Sequence, residues 1–197
     1  YEDEKLFEFA KVRLNELGNG QQPFNFTMLT VDTHFEDGYP CRLCQDLYGE
    51  QYANVMACSS RQLVEFIRWI QQQPFYENTT IVLVGDHLTM DSDFCANLSP
   101  EYQRGVLNIF VNAPVMAVNT KNRIASTMDM FPTTIAALGG EIEGDRLGLG
   151  TNLFSGRPTL AEELGMDQLN AEVRKNSLFY AGLAGGMEVD DSVMDMK

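Results

Sequence analysis

Thr79-Thr80-Ile81-Val82-Leu83-Val84-Gly85-Asp86-His87 is the stretch that decides how this chain is read. Ile81 to Val84 is apolar at every position, as a parallel strand between two helix layers must be. Gly85 lets the backbone turn sharply, and Asp86 and His87 follow at the carboxyl end of the strand. Ligands in open α/β sheets bind beyond such ends. One hard carboxylate oxygen beside one imidazole nitrogen suits Mn²⁺, Mg²⁺ or Zn²⁺, with further ligands from elsewhere. The plainer alternative is that Asp86 caps a turn and His87 lies on the surface.

Working outward, the strand is preceded by a helical period from about Tyr52 to Gln72, carried by Val55, Met56, Leu63, Phe66, Ile67 and Ile70. Pro74 and the Glu77-Asn78 turn end it. An earlier helix is expected over Asp3 to Leu17, stopped by Gly18 and Gly20. Pro23 then opens Phe24 to Val31, an aromatic and β-branched run that reads as a second buried strand. It leads into Asp32-Thr33-His34, so both histidines of the chain follow apolar strands.

Downstream, Thr89 to Pro100 reads as a loop carrying Asp91, Asp93 and Cys95, and Val106 to Val111 as a strand. Asp129 is expected to cap a short helix through Leu138, and Thr159 to Glu162 forms a capping box. Asp167 is expected to cap a helix through Tyr180, and the segment 185–197 reads as an acidic, flexible tail. Helices alternating with strands predict an α/β class, a mainly parallel sheet flanked by helices, over residues 1–184.

Composition narrows the function classes. The chain has 197 residues, 44% of them hydrophobic and 21% charged, which suits a folded domain rather than a disordered one. Its formal net charge of −14 excludes nucleic acid as a natural partner, since phosphates would repel it. No apolar run reaches the roughly 18 residues that span a bilayer. Four cysteines stand at Cys41, Cys44, Cys58 and Cys95. Only Cys41 and Cys44 form a close pair, so the spacing matches neither a zinc ribbon nor a finger. Disulfides, a zinc site and plain buried thiols all remain open from the residues themselves.

Four ordered motifs carry a resemblance. The strand ending in Gly85-Asp86-His87, the run ending in His34-Phe35, the helix Asp129-Met130-Phe131-Pro132-Thr133, and the glycine-rich Asp145 to Leu153 follow one another in sequence. Together they resemble the lipoteichoic acid synthase and phosphoglycerol transferase family, within the alkaline phosphatase/sulfatase superfamily, over about Tyr1 to Tyr180. The resemblance implies an alkaline phosphatase-like fold, of which this chain is the C-terminal part. It implies that Asp86 and His87 ligate one divalent cation, with Mn²⁺ ahead of Mg²⁺ and Zn²⁺, and that His34 contacts the phosphoglycerol head group. The Asp129 helix and the Gly148-Leu149-Gly150 loop are expected to be structural.

The same resemblance implies transfer of phosphoglycerol from a phosphatidylglycerol-type lipid to a glycan or polyglycerolphosphate acceptor through a Thr intermediate. The setting implied is the extracytoplasmic face of a bacterial cell membrane, which favours disulfides among the four cysteines. The family's Thr nucleophile, an acidic metal ligand and the membrane region lie upstream of the segment matching Asp3 to Leu17. The chain by itself is therefore expected to be inactive and prone to self-association. Two other readings keep the scaffold: a sulfatase or phosphodiesterase of the same superfamily, and a non-catalytic binding domain. The nucleophile's identity separates the first from the transferase.

Overall fold

The computed structural model describes residues 2–119, 121–178 and 181–182. It divides into two compact units, one of Tyr1–Met116 with Ala137–Gly140, the other of Ala117–Ala136 with Glu141–Lys197. The expected acidic tail, residues 185–197, lies outside the described residues, as does the end of the helix expected to reach Tyr180.

The first unit is organised by two helices, α1 (Asp3–Gly18) and α2 (Gln51–Ile70). Phe7, Ala10 and Leu14 recur at helical spacing on α1 and bury against Phe66 and Ile70 of α2. The rings of Phe7 and Phe66 lie 4.9 Å apart. α2 begins at the Glu50 side chain, which accepts from the backbone N–H groups of Tyr52 and Ala53. Its buried face runs Tyr52, Val55, Cys58, Gln62, Phe66 and Ile70, so one helix face serves both core and site.

Strand β1 (Ile81–Val84) forms where the sequence predicts it, and β2 (Asn108–Val111) falls within the expected Val106 to Val111. Their pairing corrects the sequence expectation. The two run antiparallel, with Ile81 opposite Val111 and Val84 opposite Asn108, so this pair is not part of a parallel sheet. A parallel return needs a crossover of a dozen residues or more, usually helical. The only helix between these strands is α3 (Ser92–Cys95), too short to carry the chain back along the sheet.

A second correction concerns Phe24 to Val31, which forms no ladder. It keeps a strand's alternation, with Phe24, Phe26 and Met28 packed against the helical core and Asn25, Thr27 and Leu29 outside. The apolar signal was that of burial on one face. No neighbouring strand among the described residues supplies backbone partners.

In the second unit, α4 (Met130–Ala137) begins after a 3₁₀ turn, Thr127–Asp129. The N-cap is Ser126 and not the expected Asp129, which occupies the third position of a capping box. A small hairpin, β3 (Arg146–Leu147) and β4 (Gly150–Thr151), replaces the expected glycine-rich loop. Gly148 turns it at φ 60°, and a Cβ on Gly150 would stand 1.9 Å from the Met128 carbonyl oxygen. The capping box at Thr159 and Glu162 opens α5 (Leu160–Leu164) as read from sequence. The next helix, α6 (Met166–Val173), starts from Gly165 rather than Asp167.

Candidate functional site

Gly85 continues the β1 ladder by one bond, its N–H donating to the Leu107 carbonyl at 2.8 Å. A Cβ there would press to 3.1 Å from the Cβ of Val106, so glycine suits the close approach. The next two residues leave the ladder together. The Asp86 carboxylate accepts the His87 backbone N–H at 2.9 Å through Oδ1. Its other oxygen stands 3.5 Å from His87 Nε2. Both side chains are more than half exposed.

The imidazole tautomer follows from its other contact. His87 Nδ1 lies 2.7 Å from the Leu88 carbonyl oxygen. A carbonyl has no proton to give, so Nδ1 carries the hydrogen and Nε2 of the neutral ring presents its lone pair. Metal-ligating histidines are commonly held by this kind of outer hydrogen bond. The donor set therefore fits a divalent cation: one carboxylate oxygen and one oriented imidazole nitrogen converge at a strand end.

His34 is prepared in the same way. Its Nδ1 lies 2.6 Å from the Phe35 carbonyl oxygen, which again leaves Nε2 as the free lone pair. Its backbone N–H closes a turn onto the Val31 carbonyl. Deeper in the loop, Asp32 and Asp3 are buried and clasp each other's backbone. Asp32 Oδ1 accepts the Asp3 N–H, while the Asp3 carboxylate accepts from Val31 and Asp32. Burial pushes the Asp32 carboxyl above its ordinary range, and Asp32 Oδ2 has no hydrogen-bond partner.

Two groups to which the sequence reading gave no part in the site tie the His34 loop to the His87 loop. The buried Tyr52 hydroxyl donates to the Thr33 carbonyl at 2.9 Å and meets Thr89 Oγ1 at 2.7 Å. Asp91 caps α3 by accepting the Phe94 N–H, and its second oxygen accepts the Asp37 N–H. These backbone donors hold its carboxyl below the usual range. A shallow cleft opens between Phe35–Asp37 and Met90–Asp93. Asp91-Ser92-Asp93-Phe94 is a legible cap pattern, whereas Tyr52 carried no signal beyond its place on the apolar face of α2.

The cysteines fall into a group of three and one apart. Cys41, Cys44 and Cys58 bring their sulfurs within 4.8 Å of one another. Cys41 Sγ is 3.8 Å from Cys44 Sγ and 3.9 Å from Cys58 Sγ. All four thiols are free, so the expected disulfides are not formed in this structure, and Cys95 stands outside the group. Burial pushes the Cys44 thiol up to about 12 and raises that of Cys58 as well.

The Asp129 helix and the hairpin beside it are closed within themselves. Asp129 Oδ1 accepts the Thr151 N–H at 2.7 Å, and Oδ2 accepts from the N–H and hydroxyl of Ser126. Thr133 Oγ1 donates to the Asp129 carbonyl and accepts from the Leu153 N–H. Gly148 and Leu149 form the turn of the hairpin, and Gly150 opens β4 opposite Leu147. Among the described residues, no helix is long and apolar enough to cross a membrane.

The sulfatase family profile matches residues 1–140 of the chain. Phosphoglycerol transferase I of Citrobacter koseri is 31% identical over 161 residues, which cover 79% of this chain and 21% of that protein. The protein of the same name in Escherichia fergusonii is 32% identical, and that in Escherichia coli 30%, over the same shares. The chain thus spans about a fifth of the length of these curated relatives. No solved structure matches it.

Proposed function

The chain belongs to the sulfatase family, an enzyme family of alkaline phosphatase-like α/β fold, and on that premise we propose that it forms the cation- and head-group-binding part of a phosphoglycerol transferase. The observation that carries the proposal is the strand end itself. Asp86 Oδ2 and His87 Nε2 converge to 3.5 Å, while Nδ1 of the same ring is held by the Leu88 carbonyl.

Asp86 and His87 would hold one divalent cation, Mn²⁺ in the first instance, with its remaining ligands from elsewhere in the parent protein. Such a cation lowers the pKa of a hydroxyl nucleophile and offsets charge on phosphoryl oxygens. The proposal assigns the nucleophile, a Thr, to the rest of the parent protein, and the chain by itself is inactive on this account. His34 faces the substrate: with Nδ1 holding its proton against Phe35, Nε2 accepts a hydrogen bond from a glycerol hydroxyl. Tyr52 and Asp91 keep the two histidine loops in register.

The group transferred is phosphoglycerol, as the relatives' name supports; the donor on this reading is a phosphatidylglycerol-type lipid and the acceptor a glycan or polyglycerolphosphate hydroxyl. That chemistry belongs at the extracytoplasmic face of a bacterial membrane. The second reading, hydrolysis of a sulfate or phosphate ester, draws on the name of the matching family. The test supplies the full-length protein with phosphatidylglycerol, acceptor and Mn²⁺. The proposal expects cation-dependent release of diacylglycerol with glycerophosphate on the acceptor. Hydrolysis of an aryl sulfate with no transfer would replace it with the second reading.

A further inference from the structure

The three clustered thiols are built for a purpose that the strand-end site does not use. From their arrangement we propose that Cys41, Cys44 and Cys58 form a second, independent metal centre, a three-thiolate site for Zn²⁺ that fastens the Cys41–Cys44 turn to α2.

The first argument is metric. Zinc–thiolate bonds of about 2.3 Å in tetrahedral geometry place neighbouring sulfurs about 3.8 Å apart. The two separations from Cys41 Sγ are 3.8 and 3.9 Å. A disulfide needs sulfurs at about 2.05 Å, and it can join only two of the three. Two sides of the sulfur triangle therefore match the face of a zinc tetrahedron, and the third, Cys44 to Cys58, lies within 4.8 Å, with the fourth position left to water or an added ligand.

The second argument is local structure. The Cys44 N–H donates to the Cys41 carbonyl at 3.0 Å, closing a turn that turns both sulfurs toward α2. Cys58 meets them from the buried face of that helix. The sulfurs' surroundings are donors. The buried Gln62 amide reaches Cys41 Sγ at 3.7 Å and Cys58 Sγ at 3.6 Å, and Arg61 reaches Cys58 Sγ at 3.6 Å. Such outer N–H groups orient thiolate ligands and stabilise their charge. Three thiolates and Zn²⁺ leave one negative charge, which the Arg61 guanidinium balances. A monovalent soft ion would leave two. Arg61 also holds the Leu43 carbonyl at 2.6 Å, so it bridges the turn and the helix.

Binding replaces three thiol protons with metal–sulfur bonds and needs no oxidant. The test uses the full-length protein in a His87→Ala background, which removes the strand-end cation from the count. It is isolated anaerobically without chelator. Elemental analysis is expected to find one zinc per chain, falling below a tenth in Cys58→Ser and unchanged in Cys95→Ser. Exchange with Co²⁺ is expected to give a thiolate-to-metal band in the near ultraviolet, absent from Cys58→Ser. Should Cys58→Ser fail to fold, the parent background decides by alkylation. Cys41, Cys44 and Cys58 should react only after a chelator strips the zinc, while Cys95 reacts throughout. A disulfide mapped within the trio would overturn the proposal. So would three thiols that alkylate freely with no zinc bound.

Discussion

Two aspartates in this molecule sit in motifs of similar weight in the sequence and end in opposite circumstances. Asp129 opens a helix and is 1% exposed, and each of its carboxylate oxygens accepts from backbone or side chain. Asp86 ends a strand, and its side chain is 73% exposed, engaged only by its neighbour His87. The difference lies in unspent bonding capacity. A buried polar group must be satisfied from within, because leaving it unpaired costs on the order of 1–3 kcal/mol. A group whose lone pairs face outward in an ordered rotamer can bind something else. Asp129 is therefore a fastener, and Asp86 with His87 a site.

The contrast predicts that damage at the two places separates activity from stability. The largest effect is expected from His87→Ala in the full-length protein. Phosphoglycerol transfer should fall on the order of 10³-fold as the cation is lost. Stability of the metal-free protein should change by no more than about 0.5 kcal/mol, since the side chain is exposed. Turnover near that of the parent would remove His87 from the site.

Asp129→Ala should do the reverse. It strands the Thr151 and Ser126 donors, and a loss of about 3 kcal/mol in denaturant unfolding is expected. Retained stability within about 1 kcal/mol would mean that water or a neighbour replaces the carboxylate.

Next in size is Glu162, also in the second unit. Its carboxylate pairs with Arg123 and accepts the Thr159 and Ile124 N–H groups. The Arg123 hydrogen bonds hold its pKa down to about 2 from an ordinary 4.5. A folded value below the unfolded one gives stability that is present above pH 4.5 and drains as pH falls toward 2. At neutral pH that difference amounts to about 3 kcal/mol at most, which solvent screening of the partly exposed pair cuts to about 2 kcal/mol. Unfolding measured from pH 7 downward should show Glu162→Gln weaker at neutral pH and flatter through that acid window. Parallel curves for both proteins would contradict the assignment.

The smallest effect is expected at Tyr52, which belongs to both categories. Tyr52→Phe leaves the Thr89 hydroxyl and Thr33 carbonyl without their bridge, at about 1 kcal/mol of stability. Because the bridge joins the two histidine loops, transfer should drop several-fold with metal content intact. A change in stability with transfer unaltered would make the bridge purely structural.

How much of this was legible in the sequence follows the same division. Helical period located α1 and α2 within a residue or two, because their burial is continuous along one face. Apolar composition located β1 but could not say what lies beside it. The antiparallel partner is reached through residues 85–107, whose one short helix cannot carry the chain back along the strand, and Phe24 to Val31 buries one face without a ladder. The Gly85-Asp86-His87 pattern pointed to the strand end, since local chain geometry brings those two side chains together. The Tyr52 bridge, the Asp91 bond to Asp37 and the Asp3–Asp32 clasp were invisible because their partners lie far away in sequence. The cysteine trio was ambiguous for the same reason: Cys58 joins Cys41 and Cys44 only through the docking of α2.

The account's central claim is a division of labour between two histidines prepared alike, each with Nδ1 spent on the next carbonyl, Nε2 of His87 facing the Asp86 carboxylate and that of His34 facing the substrate. The direct test measures Mn²⁺ content and phosphoglycerol transfer together in the full-length protein, for the parent, His34→Ala and His87→Ala. The account predicts that His87→Ala loses both, whereas His34→Ala keeps its cation and loses transfer by roughly 10–100-fold. Loss of the cation from His34→Ala, or unchanged transfer in it, would contradict the assignment of His34 to the substrate.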